Sequence, residues 1–162
     1  MSEEIYSKNS YLLNAGEVCK FVYIVKTGVV WKFYSHKGKK VPTEFAFPGD
    51  IIFSFQSYTT QIPSLEYIQT FEDSLIQKIE FGKFESLKFQ SDLLVQLDTL
   101  LLEYQILKLE DRLNSLQFKS ASDRLHWLLD REPHLLDKIP QRHIASYLGI
   151  TLETLIRLRK KV

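Results

Sequence analysis

The chain has 162 residues, 44% of them apolar and 13% aromatic, which is ample for a buried core and too apolar for a disordered chain. Its formal charge of +1 hides an asymmetry: residues 1–118 carry 12 Lys and Arg against 15 Asp and Glu, and residues 119–162 carry 9 against 5, an acidic body with a basic end. A single cysteine, Cys19, excludes an internal disulfide, a four-thiolate cluster and a cysteine-built zinc site. The start, MSEEIYSKNS, lacks a basic segment followed by an apolar run, and no stretch approaches the ~18 apolar residues of a membrane span, so the expected location is the cytoplasm, with no membrane partner and no cofactor.

From Tyr11 to about residue 80 the pattern is that of strands. Phe21, Tyr23 and Val25 alternate with Val22, Ile24 and Lys26, and Val29 to Tyr34 is β-branched and aromatic. Glycines at 16, 28, 38 and 49 punctuate the segment at the regular spacing of a sandwich or barrel. Turn chemistry stands at Ser35 to Lys39 around Gly38 and at Pro48-Gly49-Asp50, and a third block, Tyr67 to Glu80, ends this part.

Ser91 to Leu116 contains no Gly or Pro and reads as one long helix. Val95, Thr99, Leu102, Ile106, Leu109, Leu113 and Leu116 recur at alternating steps of four and three, the seam of a coiled coil, and Leu94, Leu97, Leu101 and Tyr104 form a second stripe beside it. Two stripes predict that one packs on the β body and the other on a second copy, with Leu102, Ile106, Leu109 and Leu113 at the homodimer interface; a helix buried wholly within the monomer is the alternative. Ser120 to Asp130 reads as a short capped helix carrying Leu125, Leu128 and Leu129, stopped by Pro133.

The last segment, Ile139 to Val162, has the spacing of a helix-turn-helix. With Gln141 opening the first helix, Ile144, Ala145 and Leu148 fall on one face, Gly149 breaks the helix, and Ile150, Leu155 and Leu158 bury the second. Ala145 suits a close helix crossing and Gly149 a positive φ. Thr151 is a good N-cap, and Glu153 and Thr154 are the N-terminal polar residues that such a helix presents to base edges. Arg157, Arg159, Lys160 and Lys161, with Arg142 on the first helix, supply positive charge for phosphates. The bland counterpart is an amphipathic helical pair with a solvated basic tail; the joint spacing of Ala145, Gly149, Leu155 and the basic run favours double-stranded DNA as partner.

This order resembles the Crp/Fnr superfamily of bacterial transcription regulators, whose sensor domain is a cyclic-nucleotide-binding jelly roll. The resemblance runs from Leu13 to Val162 and is carried by Leu13-Asn14-Ala15-Gly16-Glu17, Tyr23-Ile24-Val25-Lys26-Thr27-Gly28, Phe47-Pro48-Gly49-Asp50, SASDRL from Ser120 and IPQRHIASYLGIT from Ile139. It is most similar to a short subgroup without a β-wing. The fold it implies is α+β: an N-terminal double-stranded β-helix (jelly roll) sensor over residues 1–90, a long dimerisation helix over 91–118 and a helix-turn-helix domain over 119–162. The implied activity is regulation of transcription by a homodimer on an inverted DNA repeat, with RNA polymerase as a candidate partner.

Cyclic-nucleotide-binding members hold the ribose with a Gly-Glu pair and the cyclic phosphate with an Arg followed by Ser or Thr. The corresponding stretch, Ile51 to Gln69, offers Phe53-Ser54-Phe55 and Ser64-Leu65 in those slots, and the first 111 residues contain no arginine. A buried phosphate wants a planar, bidentate and permanently charged partner, whereas lysine is a point charge. Phe53 and Phe55 add bulk. Phe53, Ser54, Phe55, Ser64 and Leu65 are therefore the candidate pocket, expected to be degenerate, and cyclic AMP is not an expected ligand. Family members also carry further helical turns before the first roll strand, where here only about ten polar residues precede Tyr11, which questions the closure of the roll.

Other chemistry is thin. His36, His126, His134 and His143 are scattered without metal-ligand spacing, Cys19 reads as buried packing, and Glu44, Glu66 and Glu72 have no evident partner acid. No nucleophile, base and orienter set is recognisable, so an enzyme of the β-barrel type is the weakest reading. Leu152 and Ile156 are apolar where the family often has polar or small residues. The principal alternative to a DNA-binding regulator is a roll that senses a small ligand and acts through protein contacts, its terminal motif weakened.

Overall fold

The computed structural model describes residues 2–131, 133 and 135–160. In chain order the elements are β1 (Ser2–Tyr6), β2 (Tyr11–Leu13), β3 (Phe21–Thr27), β4 (Val30–His36), β5 (Lys39–Ala46), β6 (Ile51–Ile52), α1 (Phe55–Thr60), β7 (Glu66–Thr70), β8 (Ser74–Glu80), α2 (Phe81–Lys88), α3 (Asp92–Phe118), α4 (Ala121–Arg131), α5 (Leu135–Lys138), α6 (Gln141–Leu148) and α7 (Leu152–Arg159). The chain forms two compact units, Met1–Leu100 and Leu101–Val162. The helix α3 runs through the division between them.

The first unit is a roll of two four-stranded antiparallel sheets with strand orders β1-β8-β3-β6 and β2-β7-β4-β5. Strands distant in sequence pair in both sheets, as a jelly roll requires. Alternation builds the inner layer: Val25, Ile52 and Ile76 of one sheet and Leu13, Val30, Ala46 and Ile68 of the other are at most 3% exposed. Between β4 and β5, Lys37 and Gly38 have φ of 49° and 74°, the two left-handed residues of a tight primed hairpin whose twist suits its strands. Gly28 has φ of 90°, and a Cβ there would lie 2.2 Å from Ser74 Oγ and 2.6 Å from the Asp73 carbonyl, so the strand end admits only glycine.

Three features depart from the sequence reading. Ser2 to Tyr6 is a strand: β1 pairs along β8 with Glu4 opposite Ile76, and Glu4 meets Lys78 at 2.7 Å, so the polar segment before Tyr11 supplies an edge strand to the roll. Within the stretch read as strands lies α1. Its Phe, Tyr and Thr residues favour a strand locally, but burial of Tyr58 and a bond from Cys19 N–H to Ser57 Oγ at 2.9 Å hold the helical turn, and Gln61 ends it in the left-handed region. The third departure is in α3.

That helix carries its leucines outward. Val95, Leu97, Leu100, Tyr104, Ile106, Leu107, Leu109, Leu113 and Leu116 are all 42% exposed or more, while the buried positions of the helix are Gln105 and Ser115. The stripe Leu94, Leu97, Leu101 and Tyr104 is covered only in part in the isolated chain: Leu94 and Leu101 are half-buried, whereas Leu97 and Tyr104 are each 49% exposed. Helical periodicity identifies which residues share a face but not what lies against it.

The second unit contains the later turns of α3 and α4 to α7. At the start of α4, Asp123 N–H donates to Ser120 Oγ at 3.2 Å and Ser120 Oγ donates to Asp123 Oδ2 at 2.7 Å, a reciprocal capping pair that holds the Asp123 carboxyl below its usual range. Leu125, Leu128, Leu135, Ile139, Ile144, Ala145, Leu148 and Leu155 form its core, each at most 2% exposed. A core of these eight residues is small, so the inward face of each helix matters.

Candidate functional site

The terminal motif has the geometry its sequence predicts. Ile144, Ala145 and Leu148 of α6 and Leu155 of α7 are buried, and Ile150 and Leu158 are half-buried at the edge of the same core. Gly149 ends α6 with φ of 67°, and Ile150 N–H donates back to the Ala145 carbonyl at 2.9 Å while Gly149 N–H reaches that of Ser146 at 3.1 Å. These are the paired bonds of a glycine-capped helix end.

Thr151 then caps α7: Thr154 N–H donates to Thr151 Oγ1 at 3.2 Å, and the Thr151 hydroxyl donates to Thr154 Oγ1 at 3.1 Å. The Glu153 carboxyl is held below the usual carboxylate range by its own backbone N–H and by the Thr151 side chain, so it is a fixed anion and hydrogen-bond acceptor at the helix start. Thr151, Glu153, Arg157, Arg159 and Lys160 are exposed, and Thr154 is half-buried against its cap. Arg142 is exposed on α6 with its Nε 3.3 Å from His143 Nε2. Lys161 lies outside the described residues, as does His134. Leu152 and Ile156 are 37% and 41% exposed on α7. The polar and basic positions of α7 thus stand on its solvent side, opposite Leu155.

The candidate pocket divides. Phe53, Ser54 and Ser64 are at most 3% exposed, Phe55 is half-buried, and Leu65, 71% exposed, stands apart from them. The Phe53 ring meets Tyr58 edge-on at 5.1 Å between centres and lies 6.3 Å from Phe55, so aromatic bulk fills the start of the α1 segment. The serines belong to a charged network that sequence reasoning missed. Lys32 Nζ sits 3.0 Å from Glu44 Oε2 and 3.8 Å from Glu66 Oε1, and donates to the Phe53 carbonyl at 3.1 Å. Ser54 Oγ donates to Glu66 Oε2 at 2.8 Å, Ser64 Oγ to Ser54 Oγ at 3.0 Å, and Glu66 N–H to Ser64 Oγ at 2.9 Å.

Lys32 extends from β4 of one sheet to the chain just past β6 of the other, so this network lies between the sheets. Burial opposes its charge, but Glu44 and Glu66 outweigh that and hold the ammonium above its ordinary value. The signal in the sequence was a lysine at the centre of the apolar run Val29 to Tyr34, with Glu44 inside β5 and Glu66 at the start of β7 on the two neighbouring strands. Cys19 is buried, its thiol donating to the Phe21 carbonyl at 3.3 Å and pushed up by burial. Among the described residues no group of His, Cys, Asp and Glu could hold a metal ion, and no helix is long and apolar enough to cross a membrane.

No protein-family model matches the chain. It is 25% identical over 167 aligned positions to the anaerobic regulatory protein of Haemophilus influenzae, covering 93% of this chain and 63% of that protein. It is also 25% identical to the fumarate and nitrate reduction regulatory protein of Yersinia pestis, covering 93% and 64%. The chain thus spans less than two thirds of these relatives, both of which are named as regulatory proteins. Among solved structures, FixK2 from Bradyrhizobium japonicum matches with a TM-score of 0.84 at 21% identity, covering 99% of this chain and 83% of that one. CooA from Carboxydothermus hydrogenoformans matches at 0.74 with 23% identity, covering 99% and 75%. The catabolite activator protein of Thermus thermophilus matches at 0.60 with 19% identity, covering 99% and 77%. The roll, the long helix and the capped helix-turn-helix give the chain the cyclic-nucleotide-binding-like fold of Crp/Fnr regulators, and its sequence is similar to proteins named as regulators.

Proposed function

We propose that the chain is a homodimeric, DNA-binding transcription regulator of Crp/Fnr type whose roll has lost its cyclic-nucleotide site. Residues 1–90 act as the sensor-derived roll, 91–118 as the dimerisation helix and 119–162 as the DNA-reading part. The observation that carries this is the capped start of α7, where Thr151 fixes the helix and Glu153 and Arg157 project outward. A helix so capped enters a major groove by its N-terminal turn; Glu153 can accept from a cytosine amino group, and Arg157 can donate to guanine or a phosphate. Arg159, Lys160, Lys161 and Arg142 are assigned to phosphates, where charge rather than shape counts. The names of the relatives, anaerobic and fumarate and nitrate reduction regulatory proteins, support regulation as the activity.

Dimerisation is supported by the exposed seam: Ile106, Leu109 and Leu113 are 53% exposed or more, and Leu102 is half-buried in line with them. A coiled-coil seam is self-complementary, so a second copy is the occupant it fits. Loss of the cyclic-nucleotide site is supported by the Lys32 network. The one buried cation there is already shared by Glu44 and Glu66, so a cyclic phosphate would enter beside carboxylates.

Fluorescence anisotropy on a labelled duplex at graded salt tests DNA binding. Log affinity should fall linearly with log salt, and Lys160→Ala should lower that slope by about one for one lost phosphate contact. Absence of any salt-dependent retention would favour action through protein contacts.

A further inference from the structure

The helix-turn-helix is gripped from α3 by two residues one turn apart. The Arg112 guanidinium lies 4.3 Å from the centre of the Tyr147 ring, and its Nη2 donates to the Tyr147 carbonyl. That carbonyl belongs to the last turn of α6, where no following helical N–H is available to it. One turn further along α3, Leu116 approaches the turn between α6 and α7, so closely that a Cβ on Gly149 would lie 3.2 Å from its methyl. Arg112 and Leu116 therefore hold the ring, the helix end and the glycine turn immediately before Thr151.

The same two turns of α3 present Leu109 and Leu113, 58% and 53% exposed, on the apolar seam. A stacked, hydrogen-bonded guanidinium is directional in a way a lysine ammonium is not. The residues that would meet a second copy and the residue that touches the end of α6 thus sit on the same two turns of α3.

We infer that Arg112 is a positioning residue which, by clamping the α6–α7 turn to the dimerisation helix, sets the separation of the two reading helices and hence the half-site spacing that the dimer accepts. This rests on the DNA-reading proposal and adds to it a determinant that touches no base. Each base pair added between half-sites turns one of them by about 34° around the duplex, so a rigid dimer should tolerate few spacings.

The test is a series of duplexes carrying one selected inverted repeat with its half-site centres moved apart or together one base pair at a time. Affinities are measured for the full-length protein, Arg112→Ala, Arg112→Lys and Tyr147→Leu. Wild type should favour one spacing. Arg112→Ala and Tyr147→Leu should lose about 5- to 30-fold on that spacing while binding the off-register duplexes nearly as before, a flattened profile. Arg112→Lys, which keeps the charge and cannot stack and fork, should flatten it too, and it remains informative if the alanine variant does not fold. Base preference within each half-site should stay unchanged. Variants that keep the wild-type spacing profile, or that weaken at every spacing by one factor as a merely destabilised domain would, overturn the inference. A wild type that recognises no inverted repeat would instead overturn the DNA-reading proposal.

Discussion

Lys32 and Glu44 stand directly opposite each other on β4 and β5, and their side chains meet at 3.0 Å while only 10% and 11% exposed. A buried pair of this kind costs most when one partner is removed, because the other stays desolvated and uncompensated. Lys32→Met should destabilise the protein by about 3–5 kcal/mol at neutral pH, measured by chemical denaturation. Adding Glu44→Gln and Glu66→Gln to Lys32→Met should recover much of the loss, since no charge then remains. The pH dependence has a definite sign. Because the folded ammonium is held above its ordinary value of 10.5, its contribution is complete below that pH and fades as the pH rises through the raised value. The gap between wild type and Lys32→Met should therefore hold through neutral pH and narrow as the pH rises above 10.5.

Cyclic AMP should not bind. The nearest buried cation is already paired twice, and Ser54 and Ser64 spend their hydroxyls on Glu66 and on each other. Titration to millimolar ligand, about the −4 kcal/mol regime, should give neither heat nor a thermal shift. A micromolar constant would show that backbone amides and lysine suffice and would remove the claim of a lost site.

Ile106 is 56% exposed in the isolated chain, so Ile106→Asp leaves the monomer core untouched. In an assembled seam the same carboxylate would be buried among leucines at a cost of several kcal/mol unless paired. Sedimentation should show monomers with an unchanged melting transition at low concentration. A variant that dimerises with wild-type affinity would place the dimer contact elsewhere.

Much of the architecture was legible because it depends on local chemistry. Gly149 and Thr151 declare a helix end and a helix start through φ and a hydroxyl, and the predicted cap bonds are there. The roll's turns at Gly38 and Gly49 were legible for the same reason. What escaped reading depends on partners far along the chain. Ser2–Tyr6 looks polar and irregular until β8 offers an edge to pair with, and Phe55–Thr60 looks like a strand until Ser57 meets Cys19. Lys32, Glu44 and Glu66 lie on three strands, β4, β5 and β7, and only the register of the sheet brings them together. Arg112 and Tyr147 are 35 residues apart, and neither belongs to a local pattern that marks the pair.

Sequence selection by the whole 162-residue chain from a pool of random duplexes tests DNA reading most directly. Two α7 helices of a two-fold dimer should enter successive major grooves about 34 Å apart, so the recovered sites should be inverted repeats with half-site centres about one helical turn apart. Repeating the selection with Glu153→Ala should change the preferred base at one position in each half-site and leave the spacing alone, as loss of one carboxylate acceptor requires. Recovery of no inverted repeat by the wild type, with DNA retention unaffected by removing residues 140–162, would contradict it.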